Sequence, residues 1–199
     1  MKYSFWWFLF PLTGVIAFAQ PFNRETRQLS ASGAIQQPSV QQYTPADQGS
    51  TVTFTIKNLG FKVEGSFTGL QGKIRFDPND LSKAAFEVSV DAATVNTDNS
   101  MRDGHLKGED YFDVKNYPRI QFVSTGVGAA GKSGHYQVSG KLTIKNTTRD
   151  ITFPFVATPS GNDYIFSGEF TINRKDFNIG GSSTISNALT VSLAILARK

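Results

Sequence analysis

The sequence predicts an all-β domain: about eight antiparallel strands closed into a barrel, with one short helical insertion between the fourth and fifth. Three observations carry this reading. Apolar and polar residues alternate with period two from Thr51 almost to the C-terminus, the pattern of strands with one covered face. The alternation is interrupted once, between Asn99 and Pro118. Glycine recurs at inward positions (Gly65, Gly72, Gly140 and Gly168), where the corners of a barrel need small residues. A parallel α/β sheet would need helices between strands and apolar runs on both strand faces, and neither is common here. A two-sheet sandwich satisfies the alternation as well. Closure into a barrel has the added merit of removing exposed edges.

Residues 1–19 read as a signal peptide. Lys2 supplies a positive start, Phe5 to Phe18 is nearly unbroken apolar sequence, and Ala17-Phe18-Ala19 before Gln20 has the small-x-small form of a cleavage site. The run is short for a membrane span. Cleavage near Ala19-Gln20 would leave an exported chain of about 180 residues, periplasmic or secreted, the size of one domain. Residues 20–42 are rich in Gln, Ser, Ala and Pro without any period, which predicts a flexible polar leader. The barrel domain proper is expected over 43–199.

The strands follow in order. Val52, Phe54 and Ile56 alternate with threonines; Phe61, Val63, Gly65 and Phe67 continue after a phase shift at Asn58-Leu59-Gly60 that marks a turn or bulge. Leu70, Gly72, Ile74 and Phe76 end at Asp77-Pro78-Asn79-Asp80. Ala84, Phe86, Val88 and Val90 form the fourth set. After the insertion come Ile120 and Phe122, then Tyr136 to Ile144, Ile151 to Phe155, Tyr164 to Ile172, and Leu189 to Ile195. On the last strand Ala194 and Leu196 make the second face apolar too, predicting cover on both sides. In the insertion, Asn99 or Ser100 is placed to cap a helix over about 100–108 that Gly108 ends. Pro118 then imposes an extended approach to the next strand.

Composition narrows the chemistry. There is no Cys, which removes thiol catalysis and Cys-based metal sites, and the two histidines, His105 and His135, have no metal-ligand spacing. The formal charge of +4 falls to +3 on loss of Lys2, without any basic cluster that would suit nucleic acid. No nucleophile elbow, zinc-helix motif or phosphate loop is present. Arg102 with Asp103, Asp110 or Asp113 is expected to pin the insertion to the rim through ion pairs and hydrogen bonds, with Arg174 and Asp176 contributing from the strand region near the end. His105 is a candidate for the mouth, as a helix cap or a contact to a ligand head group. Seventeen Phe in one chain, four of them in the expected signal peptide, is high. Phe54, Phe61, Phe67, Phe76, Phe86, Phe122, Phe153, Phe166 and Phe170 share inward parity, which suits either a packed core or the wall of a ligand cavity. Phe54, Phe67, Phe76, Phe86, Leu142, Phe153 and Phe170 are the candidate wall residues.

Ordered blocks then carry a resemblance. Ser50-Thr51-Val52-Thr53-Phe54-Thr55-Ile56, Val63-Glu64-Gly65-Ser66-Phe67, Arg102-Asp103-Gly104-His105-Leu106-Lys107, Tyr117-Pro118-Arg119-Ile120-Gln121-Phe122 and Arg174-Lys175-Asp176-Phe177 stand in sequence between Tyr43 and the C-terminus. In these the chain resembles the YceI-like family, also described as polyisoprenoid-binding. The resemblance implies a lipocalin-like barrel that holds an isoprenoid lipid or isoprenoid quinone, and a non-catalytic carrier is the leading expectation. No cofactor, metal or nucleic-acid partner is expected, while transient membrane-surface contact and a homodimer are left open. Asn58 departs from the His frequent in the family, which puts a ligand-contact role at that mouth position in doubt; Asn146 departs from Gly in a turn. Two other readings remain: a barrel that binds another amphiphile or a protein partner, and an isoprenoid-modifying enzyme.

Overall fold

The computed structural model describes residues 41–181 and 184–199; the expected signal peptide and all but the end of the expected leader lie outside them. The chain runs β1 (Gln42–Pro45), β2 (Thr51–Asn58), β3 (Phe61–Phe67), β4 (Gln71–Arg75), β5 (Ala85–Asp91), α1 (Ser100–Lys107), β6 (Arg119–Ala129), β7 (His135–Ile144), β8 (Thr147–Ser160), β9 (Asp163–Asn173) and β10 (Ile185–Arg198). Every strand pairing is antiparallel.

These segments occupy eight positions around a barrel, because β1/β2 and β3/β4 are each one strand broken in the middle. β2 pairs with β3 and β1 with β4. β10 pairs with both β2 (Ala194 opposite Thr51) and β1 (Ala197 opposite Pro45), so the sheet closes on itself. The two breaks face each other, and one side chain joins them: Asp47 accepts from the main-chain N–H of Gly69 at 3.1 Å and of Leu70 at 2.8 Å. The turn carrying Asp47 also covers the outer apolar face of β10, which leaves Leu196 half-buried beside Gly49. Gly72, at the start of β4, has φ +136°, and a Cβ there would lie 2.0 Å from the Glu87 carbonyl oxygen of β5. No side chain fits that approach, so the bend must be glycine.

The barrel has unlike ends. At one, Phe76 (0 % exposed) is ringed by Tyr136, Tyr164 and Phe166 with centroids 5.2 to 5.3 Å away, mostly edge-on, the geometry aromatic pairs prefer. This plug fills the interior. At the other end β3 parts from β5. The Ser66–Asn96 bridge ties β3 to the segment that follows β5, with Ser66 N–H donating to Asn96 O at 2.8 Å and Asn96 N–H to Ser66 O at 3.1 Å. The insertion between β5 and β6 fills the gap, as the interruption of the alternation predicted. Asn99 caps α1 by accepting from Arg102 N–H at 3.0 Å.

Two positions depart from the expectations above, one of parity and one of turn geometry. Phe61 keeps the inward parity, opposite Asn58, but it lies at the hairpin tip past the rim and is 77 % exposed. In the β7–β8 turn the left-handed residue is Lys145 (φ 55°), so Asn146 is not there to supply that geometry.

Candidate functional site: an apolar cavity with one polar mouth

Between the aromatic plug and the insertion lies a cavity of about 560 Å³, within the range of small-molecule sites. Its floor is the upper surface of the plug, Phe86, Phe155 and Phe166. One wall carries Phe54 and Phe67, whose rings are 5.6 Å apart, with Phe112 of the insertion set edge-on to Phe67 at 5.3 Å. The opposite wall carries Phe153 stacked on Phe170 at 4.5 Å and Phe122 at 5.6 Å from Phe153. Strands place these rings because alternate residues of β2, β6, β8 and β9 point inward. Facing glycines leave them room: the Phe54 ring lies over Gly65 of β3.

Six of the seven candidate wall residues thus border the cavity: Phe54, Phe67, Phe86, Leu142, Phe153 and Phe170. Phe76 does not. Its parity is correct, but it stands below the floor inside the plug, and depth along the barrel axis is invisible to a period-two pattern.

The mouth is built from the end of β2, α1 and the start of β10. Asn58, Asn99, Arg102 and His105 all border it. His105 is exposed on α1, and His135 is far from it, exposed at the start of β7. Among the described residues no three His, Cys, Asp or Glu side chains converge on a metal position.

Of the two expected kinds of anchor, Arg102 and Asp103 use hydrogen bonds. Arg102 and Asp103 converge on Thr97, which is buried and which the sequence reading did not single out. Arg102 donates from Nε to Thr97 Oγ1 and from Nη2 to the Thr97 carbonyl, both at 2.7 Å. Asp103 Oδ1 accepts from Thr97 N–H at 2.9 Å and from its hydroxyl. Thr97 follows Asn96, which is bridged to β3, so the helix is fastened to the barrel wall through that segment. Asp113 sits at φ 48° and accepts from Asn116 Nδ2 at 3.0 Å, closing the turn after α1. Contact with the opposite rim uses main-chain carbonyls of the insertion: Gly180 N–H donates to Asp110 O at 2.6 Å, and Lys145 Nζ to Glu109 O at 2.7 Å. Tyr111 packs so closely on Gly180 that a Cβ there would be 2.9 Å from its ring. Arg174, 3 % exposed, organises that rim by donating to the carbonyls of Ile179 at 2.7 Å, Ser186 at 3.1 Å and Ile185 at 3.2 Å. Asp176 is exposed and offers its carbonyl to Arg149 Nε at 3.0 Å.

With this geometry established, comparison with known proteins is direct. The YceI-like domain model matches residues 43–197. The chain belongs to the YceI-like family. A UPF0312 protein of Pseudomonas savastanoi pv. phaseolicola is 30% identical over 154 residues, covering 74% of this chain and 80% of that one. Another, from Yersinia pestis, is 32% identical over 139 residues, covering 66% and 71%. Among solved structures, Burkholderia cenocepacia BcnA superposes with a TM-score of 0.72 at 27% identity, covering 76% of this chain and 98% of that one. A polyisoprenoid binding domain from Saccharophagus degradans, implicated in plant cell wall breakdown, shares the fold with a TM-score of 0.64 at 15% identity, covering 78% and 97%. This YceI-like chain is therefore a barrel-shaped binding protein whose interior suits small hydrophobic or amphiphilic molecules.

Proposed function

We propose that this YceI-like protein binds, stores or carries a polyisoprenoid lipid or isoprenoid quinone outside the cytoplasm, with the prenyl chain in the cavity and the head group at the mouth. The observation that carries the reading is an apolar interior sealed at one end by aromatic side chains and opening at the other beside Asn58, Arg102 and His105. Each methylene moved from water into such a space is worth about 0.8 kcal/mol, and ordering the chain offsets part of that gain. The Saccharophagus domain, described as polyisoprenoid-binding, lends support through its shared fold. Export follows the reading of residues 1–19, and a mature chain that begins at Gln20 in the periplasmic fraction or medium is its test.

Native mass spectrometry after gentle extraction from the producing cells, followed by lipid analysis of the released ligand, tests the function. A mass increment that resolves to a prenyl lipid or quinone is the expected result, and Leu142→Trp, which fills the cavity, should abolish it while the barrel stays folded. A protein that leaves native membranes empty and takes up no polyprenyl ligand would refute the carrier reading, and release of a different amphiphile would reassign the ligand.

A further inference from the structure

We infer that the cavity mouth docks on an anionic phospholipid bilayer through the β2–β3 turn and the first turn of α1. The inference rests on the lipid-carrier reading for what crosses the contact, but the contact itself is argued from the surface.

Four large hydrophobic side chains are exposed among the described residues, and three of them lie on the two elements that frame the mouth: Leu59 (69 % exposed), Phe61 (77 %) and Met101 (75 %). The fourth, Val123 (39 %), is on the outside of β6. Met101 itself borders the cavity, as do Asn58 and Val63 on either side of the hairpin tip. Leu59 serves neither the core nor the turn. It adopts φ +50° next to Gly60 at +85° in a two-residue hairpin connection, where Asn or Gly is conformationally easier and a bulky apolar residue is disfavoured. A tip built against local preference and pointed into solvent calls for an occupant.

Charge and shape select a bilayer. Lys57 and Lys62, both exposed, flank the tip. Lys62 contacts Glu64 at 2.5 Å, but both side chains are more than half exposed, and such pairs constrain charge weakly. Asp98 precedes α1, and Glu109 and Asp110 stand exposed beyond its far end, away from the tip residues Lys57 and Lys62 in sequence. Apolar tips with lysines beside them match the boundary between acyl chains and anionic head groups. A second copy of the chain would need roughly 800 Å² of complementary surface from each partner, and three projecting side chains on two elements do not provide a face of that extent.

The full mature chain is mixed with sedimentable vesicles of phosphatidylglycerol and phosphatidylcholine, alongside the double variant Leu59→Asn/Phe61→Ser. Leu59→Asn eases the turn, so loss of binding cannot be ascribed to a damaged fold. The expected result is co-sedimentation of the wild type, weakened by salt, and a loss of roughly tenfold or more in the double variant, the scale set by withdrawing two large apolar side chains from the interface. Equal partition of both proteins overturns the inference, as does absence of the wild type from the pellet. In that second case a wild-type dimer that the variant converts to monomer would give the patch to a second copy. Uptake of a fluorescent prenyl alcohol delivered from cyclodextrin reads the carrier function separately. Docking without uptake would refute the carrier reading and leave the docking surface standing.

Discussion

At the scale of single residues, Thr97 organises the insertion. One threonine satisfies two donors of Arg102 and the carboxylate of Asp103, so its hydroxyl does more than its size suggests. Thr97→Val keeps the shape and deletes that hydroxyl, which leaves Arg102 Nε and one interaction of Asp103 without a partner. Urea unfolding should register a loss of about 1–3 kcal/mol, while Thr97→Ser, which restores the hydroxyl, should recover most of it. Nothing in the sequence marked Thr97. Its neighbours Arg102 and Asp103 were conspicuous, but a charged pair in sequence invites the expectation of an ion pair, and the shared neutral partner appears only when the chain folds back by five or six residues.

At the scale of elements, the broken strands decide how the barrel opens. Bending β1/β2 and β3/β4 lets β4 stay on β5 while β3 swings away, and the gap so made is the place the insertion occupies. Asp47 holds both bends. Asp47→Ala should orphan the Gly69 and Leu70 N–H groups and lower stability by about 1–3 kcal/mol, with amide hydrogen exchange rising first at residues 68–70 rather than across the sheet. The helix was legible in advance because its signals are local: Asn99 as cap, Gly108 as terminator, Pro118 beyond. The β3/β4 break shows in the sequence only as the change of parity between Phe67 and Leu70, and the β1/β2 break left no trace, since the regular alternation begins at Thr51.

For the whole molecule, the unlike ends of the barrel set both capacity and pH response. The plug limits depth, so affinity for prenyl alcohols of increasing length should climb until the cavity is full and then level off, a trend that competition binding across a chain-length series would show. Tyr43 and Tyr136 belong to the plug. Burial is the main cause that raises both hydroxyl pKa values above the ordinary 10.0, and the nearby Tyr164 adds to it. The folded barrel holds these protons more tightly than the unfolded chain. Their contribution is therefore complete below the ordinary tyrosine value and is lost as pH rises through the raised folded values. Urea midpoints should fall in that alkaline window, and the double variant Tyr43→Phe/Tyr136→Phe should flatten the fall. A slope unchanged in that variant would assign alkaline sensitivity to other groups.

By itself the sequence determined the all-β class, the strand parity, the capped helix and the inward set of phenylalanines, because each follows from neighbours a few positions apart along the chain. It left barrel and sandwich both open, and it placed Phe76 on the same wall as Phe54 and Phe170. Only the tertiary structure decided that β10 reaches both β1 and β2 to close the ring, that Phe76 seals the bottom while its parity mates line an open cavity, and that Phe61 lies beyond the rim. Parity reports which face of a strand a residue occupies, whereas closure, depth and the position of the rim depend on register between strands far apart in the chain.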